Sequence, residues 1–334
     1  MLQPDLAIVI LNYNTSHLLN TYLPSVVKYS EGHRIIFVDN ASKDDSVEFV
    51  KREFPQIEII QLDKNYGFTG GYNRALKQID AKYYCLLNTD VEVSQSWTTP
   101  VLTLMESNES IAVCQPKLLS HLEKEKFEYA GAAGGFIDYL GYPFCAGRIF
   151  DSIEKDNKQY QEIKEIFWAS GAAFFIRSEL YHKFGGLDES YFAHFEEIDL
   201  CWRLKNAGYK IYYNPNSTVY HLGGGTLNKT SPFKTYLNFR NSLLTLYKNL
   251  PSKKLNSILF KRRILDLIAA FSFLAQGKAG EFKSVFKAYK DFKKMKSQYT
   301  KSKALDYPTC VYHKSIVFQH KIKSIKQFTD LKGI

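Results

Sequence analysis

The sequence predicts an α/β protein: a mostly parallel sheet flanked by helices over residues 1–250, followed by a basic helical extension over residues 251–334. Three observations lead there. Four apolar-rich runs, at residues 6–11, 35–38, 57–62 and 83–87, each break off into polar residues and alternate with helix-like segments. The first, second and fourth are continuously apolar, as expected of strands buried on both faces of a parallel sheet. After Pro251 the composition turns basic, and apolar residues recur at helical spacing.

The first run ends in Asn12, Tyr13, Asn14, Thr15 and Ser16, ahead of a helix-like segment at 17–29. The second ends in Asp39, Asn40, Ala41 and Ser42, with Asp44 and Asp45 before a helix at 47–54. A third strand at 57–62 leads into Asp63, Lys64, Asn65, Tyr66, Gly67, Phe68, Thr69, Gly70 and Gly71, and then a helix. The fourth, Tyr83 to Leu87, gives way to Asn88, Thr89 and Asp90 before apolar alternation resumes at Val91 and Val93. Strand, turn and helix repeated in this way build a doubly wound sheet, and ligands of such sheets gather beyond the carboxyl ends of the strands. That edge collects Asn12, Tyr13, Asp39, Asn65 and Asp90, the expected place for a nucleotide. No G-x-G-x-x-G follows the first strand and no Walker lysine motif is present, which argues against dinucleotide and P-loop sites. A divalent metal on a carboxylate is another way to hold a diphosphate, and Asp90 and Asp39 suit the metal and the nucleoside. Taken alone, the stretch is better explained as a strand followed by an ordinary Asx turn, and the other segments shift that balance.

A hydrophobic content of 45% and an aromatic content of 15% suffice for a large core. The net charge of +10 suggests nucleic acid until its distribution is read. Residues 251–334 carry 19 Lys and Arg against 5 Asp and Glu, a net of +14, and the remainder is −4. No nucleic-acid partner is therefore expected, and an anionic membrane surface suits the tail. No uncharged apolar window is long enough to span a bilayer, and residues 1–5 make no signal peptide, so a cytoplasmic protein, peripheral on the inner leaflet, is expected. Five scattered cysteines without a C-x-x-C pair imply no disulfide framework or structural zinc.

Further along, residues 94–105 read as a helix, 111–114 as a strand, and the glycine-rich, aromatic segment 127–150 as a folded loop over the site. Arg148 in that loop either touches a phosphate or acceptor group or is an exposed structural arginine. Residues 166–177 read as an apolar strand carrying small residues, where Trp168 and Gly171 either line the acceptor side or pack in the core. Glu196, Glu197 and Asp199 crowd the start of a helix whose apolar side holds Leu200, Cys201 and Leu204. Helix capping accounts for such a cluster, and so does a general base kept near aromatic surface. Leu255, Ile258, Leu259, Leu265 and Ile268 form one amphipathic stripe, and Phe282, Val285, Phe286, Tyr289, Phe292 and Met295 another, between lysines. They either pack on the catalytic body or attach it to a membrane.

The ordered set of these pieces resembles family 2 glycosyltransferases of the GT-A fold, in their rhamnosyltransferase-like branch. The resemblance is carried by Val38 to Ser42, Asn65 to Phe68 with Gly70, Gly71 and Asn73, and Asn88 to Asp90. It continues through Trp168 to Ala172, Gly185 to Asp188, Phe195 to Leu200, and His221. It implies that Asp39 bonds the nucleobase, that the Asn65 loop closes over the nucleoside, and that Asp90 is the last acid of a D-x-D motif holding Mg²⁺ or Mn²⁺. Asn88 stands where that motif has its first acid, which leaves one charged ligand. His221 matches a histidine at the metal or diphosphate, followed by glycines that fold over the phosphates, and Arg240 would neutralise the departing diphosphate. Glu197 stands where the family has its base, with Glu196 the other candidate, while Asp199 and Arg203 pair within the helix.

The expectation is a metal-dependent, inverting transferase moving a sugar, rhamnose among the candidates, from a nucleotide-diphosphate donor to a hydroxyl of a cell-surface or polyprenyl-linked glycan. The rivals are a sugar-phosphate nucleotidyltransferase, which predicts a basic glycine-rich loop that residues 12–16 do not supply, and a non-catalytic membrane- or nucleic-acid-binding module.

Overall fold

The computed structural model describes residues 5–223 and 231–334. Strands β1 (Leu6–Asn12), β2 (Arg34–Asp39), β3 (Glu58–Gln61) and β4 (Tyr83–Leu87) alternate with helices α1 (Ser16–Tyr29), α2 (Ser46–Glu53) and α3 (Gly67–Leu76). They pair in parallel in the order β3, β2, β1, β4. Every residue of β4 is buried, the condition a continuous apolar run anticipates. Then come β5 (Val91–Val93), α4 (Thr99–Ser107) and a long β6 (Ile111–Ser120).

Residues 127–150 do not form the loop read from their glycines. They contribute β7 (Gly135–Asp138), β8 (Pro143–Cys145) and β9 (Arg148–Ile149), joined by β10 (Ser152–Ile153), to a second small sheet. The apolar segment 166–177 is likewise two strands, β11 (Lys164–Ile166) and β12 (Ala173–Arg177), because its small residues make a turn between them. After α5 (Ser178–Lys183) and α6 (Glu196–Asn206), β13 (Lys210–His221) completes the main sheet in the order β11, β13, β6, β12, β4, β1, β2, β3. β12 runs antiparallel to both its neighbours, so the sheet is parallel in its first half and mixed in its second. β13 changes register near Asn214 and Thr218, and its last residues, Val219 to His221, pair antiparallel with β5.

Helices α7 (Pro232–Asn249), α8 (Ser252–Ala275) and α9 (Ala279–Met295) follow, with β14 (Val311–Tyr312) and α10 (Ile316–Lys321). This extension is packed onto the body. β14 lies parallel to β7, Leu255 and Ile258 join the core, and the buried Arg262 donates to the carbonyl oxygen of Leu140 at 3.0 Å. Leu255 and Ile258 of the first amphipathic stripe thus pack inward, whereas Ile268 faces solvent. No helix among the described residues is long and apolar enough to cross a membrane.

Candidate active site

β1 and β2 end side by side, with Asn12 opposite Asp39 in register. The Asn12 Nδ2 donates to Asp39 Oδ1 at 3.1 Å and to Ser42 Oγ at 2.9 Å, and the Ser42 backbone N–H donates to Asp39 Oδ2 at 3.1 Å. Asp39 is therefore fixed at the carboxyl edge, where a nucleoside is expected. Asn40 organises the next loop: its Nδ2 donates to Asn65 Oδ1, and its Oδ1 accepts from Tyr66 N, both at 3.0 Å. Only the pairing of two distant turns reveals that role. Asn65 and Tyr13 face solvent at the same edge.

The turn after β4 holds Asn88, the half-buried Thr89 and Asp90. Because Val91 pairs with His221, and Leu222 N donates to the carbonyl oxygen of Asp90 at 3.1 Å, the β5–β13 contact brings Asp90 and His221 together across 131 positions. His221 Nε2 lies 3.1 Å from Asp90 Oδ1 and 3.3 Å from Asn88 Nδ2, while its Nδ1 lies 3.4 Å from Glu128 Oε1. Burial pushes the imidazole pKa down, but the flanking Glu128 and Asp90 carboxylates outweigh it and raise it to about 10. Burial likewise pushes the Asp90 carboxyl up, and His221 more than reverses this, leaving it low.

Glu128 carried no signal in the sequence, where it lies within Lys126, Phe127 and Tyr129. Two carboxylates around one imidazole make a site that favours positive charge; the carboxylate oxygens suit Mg²⁺ or Mn²⁺, and His221 would join them by giving up its proton to the incoming cation. Asp90 and His221 would hold such an ion. Among the described residues no cluster of three or more His, Cys, Asp and Glu is arranged to cage one. The glycines after Gly223, expected to fold over the phosphates, lie outside the described residues.

The acid pair sits at the mouth of α6 behind an unusual turn. Phe192, His194 and Phe195 have φ of 67°, 68° and 74°, left-handed values that side chains rarely adopt. Two residues of α7 clamp this turn. Asn241 Nδ2 donates to the carbonyls of Tyr191, Ala193 and His194 at 3.1, 2.9 and 2.7 Å. Arg240 Nη2 donates to those of Ser190 and Tyr191, each at 2.9 Å, and its Nε to Asn241 Oδ1 at 2.8 Å. Arg240, expected at the diphosphate, is buried and committed to this clamp.

One carboxylate oxygen of Glu196 and one of Glu197 are buried and meet no hydrogen-bond partner among the described residues. Burial, then the charge of Glu197, drives the Glu196 carboxyl well above the carboxylate range; burial raises Glu197 to about 7. Asp199 behaves differently. It is fully buried and satisfied by Arg203, Lys248 and Asn249, each at 2.8 Å, so it anchors the helix, as its pairing with Arg203 anticipated.

Two other expectations meet different geometry. Trp168 is 4% exposed, donates from Nε1 to the Phe136 carbonyl at 2.9 Å, and covers Gly135, so it offers no face to a sugar. Arg148 is also buried, bonded to the Phe150 carbonyl and lying over the Tyr129 ring at 4.2 Å. Gly171 does lie near the site, facing Phe68, next to Ala172, whose carbonyl accepts from Asn88 N at 3.1 Å.

A nucleotide-type sheet edge, a cation-favouring turn and a carboxylate pair raised by burial fit a glycosyltransferase of the GT-A fold. The profile described as Glycosyl transferase family 2 matches residues 7–183, and the chain belongs to that family. It is 22% identical over 248 residues to the low-salt glycan biosynthesis hexosyltransferase Agl10 of Haloferax volcanii, covering 72% of this chain and 75% of that one. To the N-acetylglucosaminyl-diphospho-decaprenol L-rhamnosyltransferase of Mycobacterium tuberculosis it is 23% identical over 235 residues, 65% of this chain and 75% of that one. The structure of GalNAc-T7 with UDP, GalNAc and Mn²⁺ shares the fold, with a TM-score of 0.56 at 15% identity over 96% of this chain. The chain spans 57% of that protein's length.

Proposed function

We propose that this protein is an inverting, metal-dependent transferase that moves a hexose, rhamnose among the candidates, from a nucleoside diphosphate to a hydroxyl of a glycan carried on a polyprenyl diphosphate. The observation that supports it most is the Glu196 and Glu197 pair, held by a strained turn with buried, unpartnered oxygens. Two close carboxyls in an apolar site share protons, and the more perturbed Glu196 stays neutral while Glu197 ionises near neutral pH.

In this reading Glu197 accepts the proton of the acceptor hydroxyl as its oxygen bonds to the anomeric carbon. The bond from that carbon to the diphosphate oxygen breaks on the opposite face, so the configuration inverts. Asp39 and Asn12 orient the nucleoside, with Tyr13, Asn65 and Thr89 around it. A bound divalent ion supplies positive charge to the leaving diphosphate. Asn88 keeps the turn from carrying a second carboxylate beside Asp90, so Asp90 and His221 would hold the ion with a single carboxylate from this turn. The lipid-linked acceptor class is supported by the substrate named for the mycobacterial relative.

Hydrolysis and transfer from a panel of nucleotide sugars with Mn²⁺ or Mg²⁺ test this, using wild type, Asp90→Ala and Glu197→Gln. Donor turnover that needs the metal, falls at least tenfold in Asp90→Ala and falls further in Glu197→Gln is the expected outcome. Absence of both turnover and nucleotide binding would sink the enzyme reading and leave the binding-module rival.

A second reading concerns the membrane. Phe260, Ile264, Ile268, Phe271 and Leu274 line one face of α8, between 45 and 66% exposed, over about 20 Å. Asp266, the one acidic residue of α8, is buried, whereas Lys253, Lys261 and Arg263 are exposed. An apolar ridge rimmed by cations suits the anionic inner leaflet, where a polyprenyl-linked acceptor resides.

A further inference from the structure

Two phenylalanines stand half in solvent where the nucleoside loop meets the acid pair. Phe192 is 46% exposed and Phe233 is 48% exposed. Their rings meet edge to face, 6.0 Å between centroids, and Phe233 stacks on Tyr236 at 6.1 Å. A phenyl ring in water is unfavourable, so a relaxed chain would turn it inward. Here the backbone prevents that. Phe192 itself holds a left-handed φ of 67°, and the carbonyls of its neighbours Tyr191 and Ala193 are tied down by Asn241. Strain that keeps an apolar ring outward points to something that covers it.

The ring's position says what that is. It lies against Gly67, where a Cβ would come within 3.1 Å of Phe192 Cδ2, and Glu196 begins α6 four residues later. Gly67 adjoins Phe68, which faces Gly171, and the neighbouring Ala172 carbonyl holds Asn88. Phe192 therefore joins the nucleoside loop at Gly67 to the turn that leads into the acid pair, and Phe233 extends that apolar surface on the α7 side.

We propose that Phe192 and Phe233 form a platform for the acceptor's sugar ring. The C–H face of a pyranose packs on phenyl surfaces while its hydroxyls stay hydrated. Such a ring would place its hydroxyls between Glu197 and the donor. The platform takes the part that the buried Trp168 cannot play. It deepens the transfer reading and rests on it.

Calorimetry first identifies which nucleoside diphosphate binds wild type with Mn²⁺. With that nucleotide bound, saturation-transfer NMR is recorded with octyl glycosides of glucose, galactose and N-acetylglucosamine. Wild type is expected to saturate the pyranose ring protons of at least one glycoside. Phe192→Ala and Phe233→Ala should weaken that binding about tenfold, with Phe192→Tyr close to wild type and nucleotide affinity constant throughout. Absence of ring-proton saturation in wild type overturns the platform, as does saturation confined to the octyl chain. So does unchanged binding in both alanine variants, or a parallel loss of nucleotide affinity, which would put the rings on the donor side. If no nucleoside diphosphate binds wild type, the transfer reading falls and the platform with it; retained nucleotide binding isolates a failure of the platform alone.

Discussion

Glu197 ties burial to chemistry at the scale of a single residue. Its folded pKa of about 7 lies above the ordinary carboxylate value of 4.5, so between these the folded state binds the proton more tightly than the unfolded chain does. The stability from the protonated form is complete below the ordinary value and is lost as pH rises through about 7. Glu197→Gln, neutral at every pH, should therefore melt above wild type at pH 8 and alongside it at pH 4; equal increments at both would contradict the assignment. Activity runs the other way, because a base works ionised. Wild-type turnover should climb to a plateau above about pH 7, and the glutamine variant should lose about 10²- to 10⁴-fold without that titration.

Among elements, the hairpin-like contact of β5 with the end of β13 builds the cation-favouring site, and the turn between β11 and β12 decides the place of Trp168. Small residues there bend the chain so that the indole turns onto Gly135 and bonds the Phe136 carbonyl, away from any ligand. Trp168→Ala should then cost about 3–5 kcal/mol of stability by denaturant unfolding. Substrate KM in the folded fraction should stay at the wild-type value. A selective rise in acceptor KM with unchanged stability would return Trp168 to the acceptor side.

For the whole molecule, α8 in the 251–334 extension has two faces, one packed into the core and the other the proposed membrane ridge. The inward face of α8 carries Leu255, Ile258 and Arg262 into the core, and the outward face carries the exposed ridge. Truncation at Leu250 would remove core as well as ridge, so point changes are the cleaner probe. Phe260→Asp with Phe271→Asp should abolish flotation with vesicles containing phosphatidylglycerol while the fold and nucleotide binding persist. Wild-type flotation should weaken as salt rises past the range where screening becomes short-ranged, about 0.15 M. Flotation of the double variant equal to wild type would refute the docking face.

How much of this was legible in the chain itself follows from the range of the forces involved. The four parallel strands and the polar residues beyond them, Asn12, Asp39, Asn65 and Asp90, were determined by local apolar periodicity, which reads directly as strand, turn and helix. The carboxylate cluster opening α6 was visible for the same reason. Tertiary structure alone decided that Glu128 stands against His221, that Arg240 and Asn241 clamp the turn at 191–194, that Trp168 is core, and that α8 turns Leu255 inward and Phe260 outward. Each of those depends on which distant segments meet, through strand register, left-handed turns and helix packing, and a one-dimensional pattern does not encode which of two apolar faces finds a partner.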